Sequence, residues 1–261
     1  MMIGAMNNPM RNLLGEIQWI GENKFDFIDL TLEPTGAYAL EVDIDTVKEL
    51  LDKYKLKAVG HTAYYLPIAS PFPSFCELAL EELQNCFAVF QALDIRKVNL
   101  HPDESIIGIF SRDRAIARNI RAIKRAAESA SRYGLNLMIE NTMRLFNSVE
   151  ELQMLFDAAK DVGFHLDVGH ANLNTEKNRT PEFLASFRDR LEHVHLSDNR
   201  GGTADLHLPL GAGLIPWKRI IPALRKSKYD GTVTLEVFSR DKRYLLASRE
   251  KLLELWTEAR E

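Results

Sequence analysis

The sequence predicts an α/β protein closed into a (β/α)8 barrel, as a single domain over residues 1–261. Three observations carry this. Short apolar runs alternate with amphipathic segments from one end of the chain to the other, which implies a parallel sheet. The length of 261 residues matches the roughly 250 typical of such a barrel. No Gly-rich dinucleotide fingerprint follows the first apolar run, where an open doubly wound sheet would carry one. No linker, low-complexity stretch or shift in composition divides the chain.

In order, the expected strands are Met2–Met6, Phe25–Leu32, Leu56–Thr62, Lys97–His101, Leu135–Glu140, Gly163–Asp167, Leu191–Leu196 and Gly231–Val237. Between them run helical patterns such as Val47–Tyr54, Phe75–Leu93, Arg112–Tyr133, Val149–Asp161, Pro181–Arg190 and Trp217–Ser227, and Lys242–Ala259 follows the last strand. Three caps support the helix starts: Asp45 before Thr46, Ser148 with Glu151 three residues on, and Thr180 before Pro181. Gly134 stands where a helix should stop. Phe75, Phe87 and Phe90 read as helix core, and the Lys/Arg series of Arg112–Arg132 as a solvated outer face.

Hydrophobic residues make up 46% of the chain, enough for a large core, and the net charge of −4 argues against binding polyanions through overall charge. Cys76 and Cys86 fall on one expected helix, about 15 Å apart along its axis, too far for a bridge. They read as reduced thiols of a cytoplasmic protein. The N-terminal residues have no basic region leading into a long apolar run, and no segment is long and apolar enough to span a bilayer, so no membrane partner is expected.

The stretch Phe164-His165-Leu166-Asp167-Val168-Gly169-His170 ends a strand on a carboxylate and an imidazole. Positions i and i+3 of a regular strand face opposite sides, so Asp167 and His170 share a cavity only if the chain turns, which Gly169 would permit. Active sites of these barrels form at the C-terminal ends of the strands. Those ends hold His61, His101, Glu140, Asp167 (with His170 beyond it), His195 and Glu236, and Asp205-Leu206-His207 follows in the next loop. One such His alone would read as a structural residue. Six strand ends converging on one face gather like charges that need a compensating cation. Mixed His and carboxylate ligation suits Zn²⁺, Mn²⁺ or Fe²⁺ better than Mg²⁺ or Ca²⁺. His165 and His193, one layer deeper, read as buried and hydrogen-bonded, orienting the ligands. Asn141, Asn99 and Tyr64 point toward the site as candidate substrate contacts.

These motifs make the chain resemble the xylose isomerase-like TIM-barrel superfamily, which includes sugar isomerases and epimerases and the endonuclease IV family. The resemblance runs from Phe27 to Glu236. The epimerase branch implies one metal held by Glu140, Asp167, His195 and Glu236. Gly211-Ala212-Gly213-Leu214-Ile215-Pro216-Trp217 is similar to a Gly-x-Gly-x-Ile-x-Trp stretch of sugar phosphate isomerase-like members. The endonuclease IV branch implies three zinc ions on His61, His101, Glu140, Asp167, His170, His195, Asp205, His207 and Glu236. Around those ligands the chain departs from that branch. Pro67 replaces an Asn, Gly169 a Cys and Leu206 an Arg.

The resemblance therefore implies first a divalent-metal-dependent isomerase or epimerase of a sugar, sugar phosphate or sugar acid, with one to three Zn²⁺ or Mn²⁺ per chain. Glu140 and Glu236 would pass a proton through an enediolate, and His170, Asn141 and Tyr64 would bind substrate. The alternative is a zinc-dependent phosphodiesterase acting on abasic DNA, for which the mouth loops offer only Arg144, Lys177, Arg179, Arg200 and Arg240 as candidate phosphate contacts, a thin supply. DNA is a partner only on that alternative. A non-catalytic sugar-binding barrel is the third reading, and a homo-oligomer is compatible with all three.

Overall fold

The structure, a computed structural model, describes residues 1–259. Its first half runs β1 (Met2–Met6), α1 (Leu13–Glu22), β2 (Phe27–Leu32), α2 (Ile44–Tyr54), β3 (Lys57–Thr62), α3 (Pro73–Ala92), β4 (Lys97–Leu100) and α4 (Arg112–Arg132). The second half runs β5 (Asn136–Glu140), α5 (Val149–Ala158), β6 (Gly163–Asp167), α6 (Thr180–Phe187), β7 (Leu191–Leu196), α7 (Trp217–Lys226), β8 (Thr232–Leu235) and α8 (Arg243–Glu258). The strands pair in parallel in sequence order, and β1 closes on β8. The expected closed barrel is the observed one.

Strand periodicity sorts the barrel interior into layers. At the bottom, Phe27, Val59 and Met138 form an apolar plug with Met2 packed against it. The Phe27 ring fills the space beside Gly4 so closely that a Cβ there would lie 2.5 Å from it. Above the plug sits a polar layer, with His165 paired to His193 across β6–β7 and His193 to Thr232 across β7–β8. The next residues inward and upward are Asp167, paired to His195, and Glu140, beside His165. The outward faces of the strands join the helices in one continuous hydrophobic cluster. Polar residues on the inward face are thus stacked toward the C-terminal mouth, over an apolar floor.

The helix between β1 and β2 has no counterpart among the named patterns. Leu13, Ile17 and Ile20 are buried at helical spacing, while Gly15 and Gly21 interrupt the pattern. Asn12 caps this helix by accepting from the Gly15 N–H at 3.0 Å. Two expected caps are corrected. Asp43, not Asp45, caps α2 by accepting from the Thr46 N–H at 3.1 Å, because the helix begins a residue before Asp45. Thr180 lies inside α6, and its N–H is held by Asn178 Oδ1 at 3.0 Å. Gly134 adopts φ +70° just past α4, as a helix stop requires. Phe87 and Phe90 are fully buried, whereas Phe75, in the first turn of α3, is half exposed and is not core.

Ser148 caps α5 as expected, accepting from the Glu151 N–H at 3.3 Å. Ser148→Ala is expected to lower stability by about 1 kcal/mol, read by urea denaturation. A midpoint equal to that of the wild type would remove the cap from the account. Both cysteines lie on α3 as free thiols, and burial pushes the Cys86 thiol up to about 12. Among the described residues no helix is long and apolar enough to cross a membrane.

Candidate metal centre at the barrel mouth

All nine ligand candidates come together at the C-terminal mouth. Glu140, the last residue of β5, is their hub. Its Oε2 lies 2.9 Å from His101 Nε2 and 3.8 Å from His61 Nε2, and its Oε1 lies 3.0 Å from His170 Nδ1. Asn99 Nδ2 donates to the same Oε2 at 2.6 Å and sits 2.9 Å from His61 Nε2. Asn99 is fully buried, with Nδ2 held between Glu140 and His61 and Oδ1 without a hydrogen-bond partner among the described residues.

Asp167 ends β6, and its Oδ1 accepts from the His170 N–H at 2.5 Å across the turn. Gly169 in that turn has φ −65°, an ordinary helical value, so the turn needs no glycine for its backbone angles. The constraint is space: a Cβ at Gly169 would lie 2.6 Å from Ser197 Oγ and 3.1 Å from Asp167 Oδ1. Glu236 follows β8, with Oε2 at 3.2 Å from His195 Nδ1 and 3.4 Å from His207 Nδ1. The Asp205 Oδ2 atom joins the loop to the strand ends, 3.1 Å from His170 Nε2 and 2.9 Å from His207 Nε2.

Beneath these lies Asp29 of β2, fully buried, which a position at a strand end does not single out. Its Oδ2 accepts from His195 Nε2 at 2.7 Å, Thr234 Oγ1 at 2.9 Å and His193 Nε2 at 3.1 Å. With Nε2 committed to Asp29, His195 turns Nδ1 toward Glu236 and toward Asp167 Oδ2, which is 3.8 Å away. A readable sign existed, since Asp29 is a lone charge inside the apolar run Phe27-Ile28-Asp29-Leu30. His193 is hydrogen-bonded as expected, with Nδ1 also 2.6 Å from Thr232 Oγ1. His165 is not. It is fully buried with neither ring nitrogen hydrogen-bonded, although Nδ1 lies 3.2 Å from Glu140 Oε2.

Two expected substrate contacts part company. Both amide atoms of Asn141 are held by the Asp167 backbone, at 2.9 Å each, so Asn141 locks β5 to β6 and has no free group for a substrate. Tyr64 is 63% exposed at the rim, its ring 6.3 Å from that of His101, and can reach a molecule in the mouth. Of the basic residues expected to meet DNA, Arg179 is committed to Thr175 Oγ1 and the Asn147 carbonyl.

The electrostatics suit a bound cation. Burial works against ionising Glu140 and Glu236. Hydrogen bonds from the surrounding imidazoles outweigh it, from His101 and His170 at the first and from His195 and His207 at the second, holding both carboxyls well below their usual range. Burial pushes Asp167 up to about 7, with His170 opposing the rise and Glu140 and Glu236 adding to it. Burial also opposes charge on His207, yet Glu236 and Asp205 raise it to about 11.

Protons on imidazoles thus balance the carboxylates, a task a divalent ion does when it displaces them. Among the described residues the buried atom Asp167 Oδ2, which faces His195 Nδ1, has no hydrogen-bond partner, a cost that ligation of a divalent ion would remove. The groups His61–His101–Glu140, Glu140–Asp167–His170 and Asp167–His195–Glu236 each place three ligand atoms within 4.8 Å of one another. These residues fit divalent ions. The deeper group His165–His193–His195 is equally compact, but two of its nitrogens already serve Asp29, which suits a hydrogen-bonded support.

A solved D-tagatose 3-epimerase-like protein is 25% identical, superposes with a TM-score of 0.85, and covers 100% of both chains. An uncharacterized protein of Methanocaldococcus jannaschii is 28% identical over 253 residues, 93% of this chain and 84% of that one. A probable endonuclease 4 of Thermosipho africanus is 27% identical over 199 residues, 67% of this chain and 68% of its own. The family model described as a xylose isomerase-like TIM barrel matches residues 17–259. A match spanning nearly the whole of a barrel closed in this strand order shows that the chain belongs to the xylose isomerase-like TIM-barrel family.

Proposed function

We propose that the protein is a divalent-metal-dependent isomerase or epimerase of a small sugar, sugar phosphate or sugar acid. The observation that carries this is the placement of Glu140 and Glu236. They stand at the ends of β5 and β8 with Asp167 and His195 between them. The likeness to a D-tagatose 3-epimerase-like protein supports the same reading.

Glu140, Asp167, His195 and Glu236 would hold Zn²⁺ or Mn²⁺, which when bound polarises substrate oxygens and makes the neighbouring C–H more acidic. The two glutamates, approaching from different walls, accept the proton from one face of the carbon and return it to the other. His170, with Nδ1 3.1 Å from the Asn141 carbonyl and Nε2 3.1 Å from Asp205 Oδ2, would bind a substrate oxygen or an ion only by exchanging one of these partners. Tyr64 supplies an aromatic edge at the rim.

Mass spectrometry of substrates incubated in deuterium oxide tests this, using a panel of ketoses, their phosphates and sugar acids with Zn²⁺ or Mn²⁺. Metal-dependent exchange at a carbon-bound hydrogen is the expected result. No exchange across the panel, together with metal-dependent nicking of abasic DNA, would transfer the function to phosphodiester hydrolysis.

That second reading has one observation in its favour. A single ion does not need His61 and His101 against Glu140, nor His170, Asp205 and His207 in a contiguous chain. Clustered ions would serve to generate hydroxide and neutralise a phosphate. Zinc counting on protein supplied with excess metal is expected to give more than one ion per chain, with fewer in His101→Ala and in His207→Ala. One ion in all three proteins would leave a one-metal isomerase and dispose of the cluster.

A further inference from the structure

We infer that Asp198, outside the ligand set, is the positioning residue that holds Asp205 and His207 in the mouth. The inference rests on the reading that His170, Asp205 and His207 bind a divalent ion.

Asp198 lies two residues beyond β7 and is fully buried. Among the described residues no cation pairs with it; four N–H donors hold it instead. Its Oδ1 accepts from the N–H groups of Asn199 at 2.9 Å and Ile215 at 3.1 Å. Its Oδ2 accepts from the Gly211 N–H and from Trp217 Nε1, each at 2.8 Å. Charge-assisted bonds of this kind are the strong ones, and a buried carboxylate needs all of them.

The Asp198 main chain also pairs with Leu208 in both directions, at 2.9 and 2.8 Å. One residue therefore anchors the β7–α7 loop at 208, at 211 and at 215–217. Asp205 and His207 hang from the first of these anchors. Three of the four donors come from the Gly211–Trp217 stretch singled out in the sequence. Gly211 and Ile215 provide N–H groups and Trp217 an indole N–H. Gly213 provides space, since a Cβ there would lie 2.3 Å from Asp198 Oδ1 and from Asn199 O. The motif is the receptor for Asp198.

His207 shows that its loop needs holding. It sits at φ +43°, in the left-handed region that a residue with a Cβ occupies only when its surroundings impose it. The imposing contacts are the Leu208–Asp198 pair next to it and the Phe238 N–H, which donates to the His207 carbonyl at 3.2 Å. Released from Asp198, His207 would relax to negative φ and carry its imidazole away from Asp205 and Glu236.

The test compares zinc-loaded wild type, Asp198→Asn, Trp217→Phe and His207→Ala. The Asn amide keeps the shape of Asp198 but cannot accept on both sides. Trp217→Phe removes a single donor and remains usable should Asp198→Asn fail to fold. Two quantities are read: zinc affinity by chelator competition, and hydrogen exchange of peptides covering 203–212.

In Asp198→Asn the weakest class of zinc is expected to lose roughly 10–100-fold in affinity, as in His207→Ala, while the tightest ion stays bound. Exchange over 203–212 should rise in Asp198→Asn, and both effects should appear in smaller measure in Trp217→Phe. Faster exchange with wild-type zinc affinity in both Asp198→Asn and Trp217→Phe would reduce Asp198 to a loop stabiliser and overturn the inference. Zinc binding indifferent to His207→Ala as well would instead overturn the reading it rests on.

Discussion

Glu236→Gln is expected to lower turnover by about 10²–10⁴-fold, the usual worth of a positioned acid–base group, with the fold intact. The amide has nearly the shape of the carboxylate and keeps one oxygen for His195 and His207, which lie 3.2 and 3.4 Å from Oε2. What it loses is the charge. Glu236 is buried, and burial alone would favour its protonated form, but the charges of His207 and His195 keep it ionised. Gln cannot accept a proton from carbon and is a weak ligand beside two imidazoles. Metal content should therefore fall together with turnover, while far-ultraviolet circular dichroism stays unchanged. Glu140→Gln should be at least as damaging, since Glu140 touches both the His61–His101 pair and His170. Turnover within about threefold of wild type in either variant, an effect of well under 1 kcal/mol, would exclude that glutamate as the proton carrier.

Phe164→Ala should have the largest effect on stability, about 3–5 kcal/mol. Phe164 is fully buried on the outward face of β6, its ring 5.9 Å from Phe156, 6.1 Å from Phe183 and 5.7 Å from Phe187. Three helix-borne aromatics on one strand residue leave no flexible neighbour to collapse into the cavity. At about 2–4 °C per kcal/mol for a large domain, the melting temperature should drop by some 6–20 °C. Because Phe164 and Asp167 share β6, zinc should shift the melt upward in wild type and variant alike. A loss below about 1 kcal/mol in denaturant titration would show that this aromatic cluster does not hold β6 against its helices.

The barrel was legible because its signals are local. Apolar runs, their alternation with amphipathic segments and the C-terminal position of polar residues on each strand need no knowledge of the partner strand. Glu140, Asp167, His195 and Glu236 could be named on those grounds, and the structure gathers them. The errors are local as well. Gly15 and Gly21 broke the pattern of α1, and Phe75 was read as core although it falls on the outer side of the first turn of α3.

What the sequence by itself determined is which residues stand at the mouth, since a side-chain period of two assigns each strand residue to a face. What only the tertiary structure decided is who meets whom there. Asp29 reaches His195 across 166 positions of sequence, and Asn141 spends its amide on the neighbouring strand instead of facing a substrate. The loop carrying Asp205 and His207 has no periodicity to read. Its course depends on a carboxylate, Asp198, that collects donors up to 19 residues away. Such contacts are set by barrel closure and by where buried charges find their donors, and both exist only once the distant strands have been brought together.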